Sequence, residues 1–184
     1  MTTTHHAVTI GCPEGLPFVE IEREFDATPD QVYRAHIDPA LVARWMGPHD
    51  LVNEIDHWDA RDGGSWRYVA RRGEEEYWFR GCFHQLVPGR RIVQTFTYEG
   101  FPDGVALEIL ELEPLEGGRC RLRAKSITDS VEGRDAFVAS GMESGVVAGY
   151  EKLDALLAGC PRTRVVCLGR LSSSAARAHD PGGR

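Results

Sequence analysis

Between positions 58 and 98 the chain gathers Trp58, Trp66, Tyr68, Tyr77, Trp78, Phe79, Phe83, Phe96 and Tyr98, with Trp45 shortly before them. Aromatic surface with few polar anchors suits a pocket for an apolar or aromatic small molecule. Rings that simply fill a core are the competing reading for each of them. Two-residue alternation sorts them into sets. Trp66 and Tyr68 share one face, as do Tyr77, Phe79, Gly81 and Phe83, and likewise Ile92, Gln94, Phe96 and Tyr98. The alternation alone leaves open which face turns inward.

Polar residues able to do chemistry are fewer. Glu108 alternates with Ala106, Leu110 and Leu112. A carboxyl in that company is either an acid or base of raised pKa, an anchor for a ligand cation, or a rim residue in water. His57 precedes Trp58 near a strand end, and histidine as a residue type titrates near neutrality, as a general base requires; a surface or hydrogen-bonded histidine is the competing and favoured reading. These two, or one of the tyrosines, are the catalytic candidates. His36 falls on the apolar side of a short helix and reads as packed. Glu143 reads as a solvated helix residue. His5-His6, His49, His57 and His84 lack compact ligand spacing, so no metal and no cofactor are expected. Phosphate-cradling and nucleophile-elbow motifs are absent from the sequence.

Residues 132–158 read as one long C-terminal helix carrying Gly141, Gly145 and Gly149 four residues apart. A glycine inside a helix costs roughly 1 kcal/mol relative to alanine. Three on one stripe imply close approach of another element, or room beside the helix. The lining is therefore expected to include Met142 and Gly145 from this helix, with Trp45 at the mouth. Trp66, Tyr68, Phe83, Phe96, Tyr98 and Glu108 supply the sheet side.

The elements that must position these residues follow from periodicity. FVEIEREF at 18–25 alternates apolar and charged residues, as a half-buried strand does. Thr28-Pro29 with Gln31 fits a capping box, and Asp38-Pro39 starts a second short helix. Strand runs follow at 51–58, 64–71, 77–86, 91–98, 104–113 and 119–127, with Gly-rich turns between them. About seven antiparallel strands result, and the long helix is the only large cover for their apolar face. Residues 1–16 read as a flexible arm, 17–159 as a single domain, and 160–184 as a disordered basic tail.

The chain of 184 residues is 42% hydrophobic and 27% charged, which fits one globular domain. A net charge of −7 argues against nucleic acid as a partner. Five cysteines without CxxC spacing indicate neither a disulfide framework nor a zinc site, and Cys82 and Cys120 in strand runs read as small buried thiols. Neither a signal peptide nor a membrane span is recognisable, so a cytoplasmic location is expected.

FDATPDQVYRAHIDPALVARWMGP, DARDGGSWRYVAR, FRGCFHQLVPGRRIVQTF and SGMESGVVAGYEKLDALLA together resemble the SRPBCC (START-like, Bet v 1-like) superfamily. Within it they are most similar to the family named after the activator of the Hsp-ninety ATPase. The resemblance spans residues 18–158. It implies an α+β helix-grip fold, a curved antiparallel sheet wrapped around the C-terminal helix, with the binding site between the two. Three functions are compatible with it: a cavity holding a small apolar or aromatic molecule, a cyclase- or hydrolase-like enzyme using the same cavity, and a protein-interaction domain using the outer sheet face. An exposed sheet edge would also allow two copies to pair as a homodimer.

Overall fold

The computed structural model describes residues 6–159, so the basic tail lies outside the described residues. In chain order the elements are β1 (Thr9–Gly11), β2 (Phe18–Phe25), α1 (Pro29–Ile37), α2 (Pro39–Trp45), β3 (Val52–Trp58), β4 (Ser65–Arg72), β5 (Glu75–Val87), β6 (Arg91–Tyr98), β7 (Val105–Leu115), β8 (Arg119–Ile127), α3 (Val131–Ala139) and α4 (Met142–Ala158). All strands join one antiparallel sheet in the order β1-β2-β8-β7-β6-β5-β4-β3. This is the helix-grip architecture, with eight strands where the sequence suggests about seven. The added strand is β1, in the segment expected to be a loose arm. Three residues pair with Glu20–Glu22 of β2, too short a run to show periodicity in the sequence.

The short helices start where their caps dictate. The Thr28 hydroxyl accepts from the Gln31 amide at 3.3 Å while the Gln31 side chain accepts from the Thr28 amide at 2.9 Å. Asp38 ends α1 and begins α2, accepting from the Ala40 amide at 3.0 Å. The expected single helix over 132–158 is two. Gly141 sits at φ +84° as the N-cap of α4, and the Ser140-Gly141 pair after Ala139 has neither the propensity nor the apolar surface to carry α3 through. Only Arg134 is buried in α3; it donates to the Pro13 and Leu16 carbonyls at 2.9 Å each.

Alternation sets the inner face of the sheet. Val19, Ile21 and Phe25 of β2, Leu122 and Ala124 of β8, and Leu110 and Leu112 of β7 face inward and pack with α1 and with Tyr150, Leu153 and Leu157 of α4. A second cluster on β4 and β5 is built from Trp66, Tyr68, Ala70 and Phe83. The outer face of β2, β8 and β7 is laced with ion pairs, among them Lys125–Glu20, Arg123–Glu22, Arg121–Glu24 and Arg123–Glu113. Of the two strand cysteines, Cys120 is buried, and burial pushes its thiol up to about 12, whereas Cys82 is exposed on the outer side of β5. The parity that turns Phe83 inward turns Cys82 out.

The glycine stripe does not face the sheet. A Cβ on Gly149 would stand 3.3 Å from the Gly47 amide nitrogen and 3.3 Å from the Trp45 carbonyl oxygen. One on Gly145 would meet Pro48 at 3.6 Å. The missing side chains make room for the end of α2 and the turn after it.

Candidate functional site

The aromatic residues form one continuous row on the inner sheet face. Ring centroids run from Phe83 to Trp58 (5.5 Å), Trp66 (5.8 Å), Tyr68 (5.8 Å), Phe79 (5.1 Å) and Tyr98 (5.3 Å). Phe96 bridges Trp66 at 5.7 Å and Phe79 at 5.4 Å. Offset and edge-on pairs at these spacings are favourable beyond the area they bury. The pairing Trp66↔Gly81 explains how the deep end fits: a Cβ on Gly81 would come within 2.5 Å of the Trp66 ring. Exposure varies along the row, with Trp58 half-buried between two sealed rings. Trp66 and Phe83 are sealed, Phe79 and Phe96 are half-buried, and Tyr98 is 38% exposed.

Trp78 points the other way. Its ring lies under the Arg67 guanidinium at 4.0 Å on the outer face, and Arg67 makes a paired contact with Glu99 at 2.7 and 2.9 Å. His57 shares that outer side. The bulge between Ile55 and His57 sets it opposite Arg67, exposed and away from the aromatic row. It is not brought together with the other candidates.

Trp45 is not at a mouth. It is 5% exposed in the main core, donates to the Ala35 carbonyl at 2.8 Å and lies tilted against Tyr150 and His36. Met142 is half-buried against the main core, and Glu143 is exposed. Gly145 contacts Pro48 rather than a ligand space.

The cavity expected between sheet and helix is almost closed. A hollow of about 20 Å³ remains, bordered by His36, Met46, Trp58, Trp66, Gln94 and Phe96 among others. That holds roughly one water, whereas a ligand pocket is on the order of several hundred Å³. The reason is the aromatic load itself, since the rings occupy the concave face. Larger depressions of about 670 and 490 Å³ are open grooves lined mainly by charged residues of the outer face and lack the aromatic lining.

Polar groups surround the sealed end. His36 is held neutral: burial pulls its pKa down to about 4, against the effect of the Val32 carbonyl 2.7 Å from Nδ1. With the proton on Nδ1, Nε2 is left as an acceptor. The Trp66 indole N–H is buried without a hydrogen-bond partner. Glu108 lies inward on β7, opposite Ser126 of β8 and Gln94 of β6. The Ser126 hydroxyl donates to Glu108 Oε1 at 2.6 Å. Burial pushes the Glu108 carboxyl up to about 7, and the serine only partly offsets that. Its surroundings are thus those of a buried acid, although the residue keeps partial access to solvent.

A buried ion pair is absent from the sequence-level candidates. Arg23 of β2, nearly sealed, pairs with Asp154 of α4, and its guanidinium lies 5.2 Å from the Phe25 ring and 5.7 Å from the Tyr150 ring. The signal was present, because alternation sets Arg23 on the face of Val19, Ile21 and Phe25. A charge on an apolar stripe needs a partner from the covering element, and the spacing of Tyr150, Asp154 and Leu157 shows which side of the helix supplies it.

The sequence profile of the Activator of Hsp90 ATPase homolog 1-like protein family matches residues 26–158. Among solved structures, the chain is similar to a protein of Rhodobacter sphaeroides at 29% identity and TM-score 0.76, covering 84% of this chain and 100% of that one. A protein of Chromobacterium violaceum is 28% identical with TM-score 0.66, over 76% of this chain and 96% of that one. One from Arthrobacter aurescens, 24% identical with TM-score 0.75 over 82% and 91%, shares the fold. A comparison with curated protein sequences returned no match. No helix among the described residues is long and apolar enough to cross a membrane. Profile, strand order and terminal helix agree, and the chain belongs to the Activator of Hsp90 ATPase homolog 1-like family, within the SRPBCC superfamily.

Proposed function

We propose that this protein binds a small aromatic or apolar molecule on the inner sheet face, in the crevice where Phe79, Phe96 and Tyr98 stay partly uncovered. The observation that carries the reading is that one end of the ring row, from Phe79 and Phe96 to Tyr98, opens to solvent. A row built only to fill a core would be sealed along its length, whereas this one emerges into solvent at Tyr98. The ligand rests on exposed ring faces and does not need an enclosed chamber, which suits the 20 Å³ hollow beneath. On β2 and β8 the outer face is covered by ion pairs, which weighs against an interaction domain using that part of it, although Val105 and Leu107 of β7 stay exposed there.

Glu108 supports a second reading, a proton-transferring enzyme that uses the same crevice. A carboxyl titrating near 7 can give and take protons at neutral pH.

Titration with naphthalene followed by amide NMR tests the binding reading. Shifts should concentrate at Phe79, Phe96, Tyr98 and Gln94, and Tyr98→Ala should weaken binding about three- to tenfold. No shifts, or shifts confined to the outer face, would sink it.

A further inference from the structure

Resting on that reading, we infer that the crevice takes an aromatic or apolar amine, whose ammonium group is received by Glu108. The carboxyl lies toward the deep end of the ring row, beside Phe96, where the crevice begins. Glu108 pairs across the strands with Gln94, two residues before Phe96, so Glu108 and Phe96 are diagonal neighbours on one face. Such neighbours lie about 7–8 Å apart, a span that a short linker between ring and amine covers.

Half of the carboxyl is already used and half is open. Oε1 accepts from Ser126. Oε2 accepts no hydrogen bond, and it is not among the polar atoms sealed from solvent. The charge has no counterion. Arg23, the one buried arginine of the sheet among the described residues, pairs with Asp154 through Nη2, and none of its N–H groups makes a hydrogen bond or ion pair with Glu108. Lys152 donates to the Met46 and Pro48 carbonyls. The other groups around Glu108 are neutral at physiological pH. They are Ser126 from β8, Gln94 from β6 and the Tyr150 phenol from α4, which burial pushes far above neutrality, while His36 of α1 borders the small hollow beside Gln94 and stays neutral.

A carboxylate placed in apolar surroundings with one oxygen satisfied and no cation is costly unless a ligand supplies the cation. Ring faces next to it suit the same group, since aromatic quadrupoles attract cations as well as apolar surface. A ligand carboxylate would meet like charge, and a neutral alcohol would leave the charge uncompensated.

Three probes of one shape separate the cases: naphthylethylamine, naphthylethanol and naphthylacetate, titrated by NMR at about pH 8 and about pH 5. At the higher pH the amine should bind at least about tenfold more tightly than the alcohol, and the acetate most weakly. Protonating Glu108 at the lower pH should collapse the preference, and Glu108→Gln should abolish it at both. Ser126→Ala, which leaves the carboxylate in place, should retain it. Equal binding of amine and alcohol by the wild type at about pH 8, or preference for the acetate, overturns the inference while leaving the aromatic crevice standing. If none of the three probes binds, the crevice itself is refuted, and the amine with it.

Discussion

Glu108 and His36 carry opposite pH signatures, and both follow from burial. The unfolded chain would release the Glu108 proton near 4.5, whereas the folded chain keeps it to about 7. Folding therefore takes up a proton in that window, and this contribution to stability is lost as pH rises through 7. His36 behaves in reverse. Its pKa falls from 6.5 to about 4, so its contribution is present above 6.5 and lost as pH drops toward 4. Where the windows overlap, the two slopes oppose each other. Glu108→Gln removes the first and keeps an acceptor for Ser126. The variant should gain about 2–3 kcal/mol over the wild type between pH 4.5 and 8. Urea denaturation across that range checks it, and a flat difference would mean that the carboxyl stays hydrated. At this scale the sequence was partly legible. The company of Ala106, Leu110 and Leu112 marked Glu108 as an acid, an anchor or a rim residue, and alternation alone could not choose, because burial depends on which elements cover β7. The side on which His57 lies was not legible, because a bulge shifts its register and a bulge leaves no mark in a two-residue pattern.

Among the elements, the glycine stripe of α4 behaves as two different sites. Gly145 has ordinary room, with Pro48 3.6 Å from the place an added methyl would take, so Gly145→Ala should gain helix propensity and raise stability by about 0.5–1 kcal/mol. Gly149 has backbone at 3.3 Å on the Trp45–Gly47 side. Gly149→Leu should cost several kcal/mol by forcing α4 off the end of α2. Thermal melts of both variants decide the matter; equal effects would mean that the two positions face the same surroundings. Spacing revealed that something lies close to this stripe. It could not reveal what, because the choice between the sheet and the α2 turn depends on how the helix is rotated. The break at Gly141 was hidden for a related reason: a glycine at φ +84° reads like any other glycine in a helical run.

For the whole molecule, composition and alternation were enough to establish one antiparallel sheet gripped by a C-terminal helix, and strand boundaries fell within a few residues of those observed. Volume was not legible. A run of nine aromatic residues is equally compatible with a chamber and with a filled concave face, and only their mutual distances show that the rings nearly fill it. The sheet is open, with β1 and β3 at its margins. β1 spans only three residues, yet it covers the middle of β2, whose other side is occupied by β8. Tethered by the short segment from Cys12 to Pro17, β1 sits at an effective concentration on the order of millimolar beside that margin. A second molecule at micromolar concentration must displace it before adding a strand there. A chain shortened to begin at Cys12 should self-associate at concentrations where the full chain does not, as light scattering would show. The segment ahead of Cys12, with little sequence signature of its own, would then be a competitive inhibitor of the protein's own polymerisation, carried in cis.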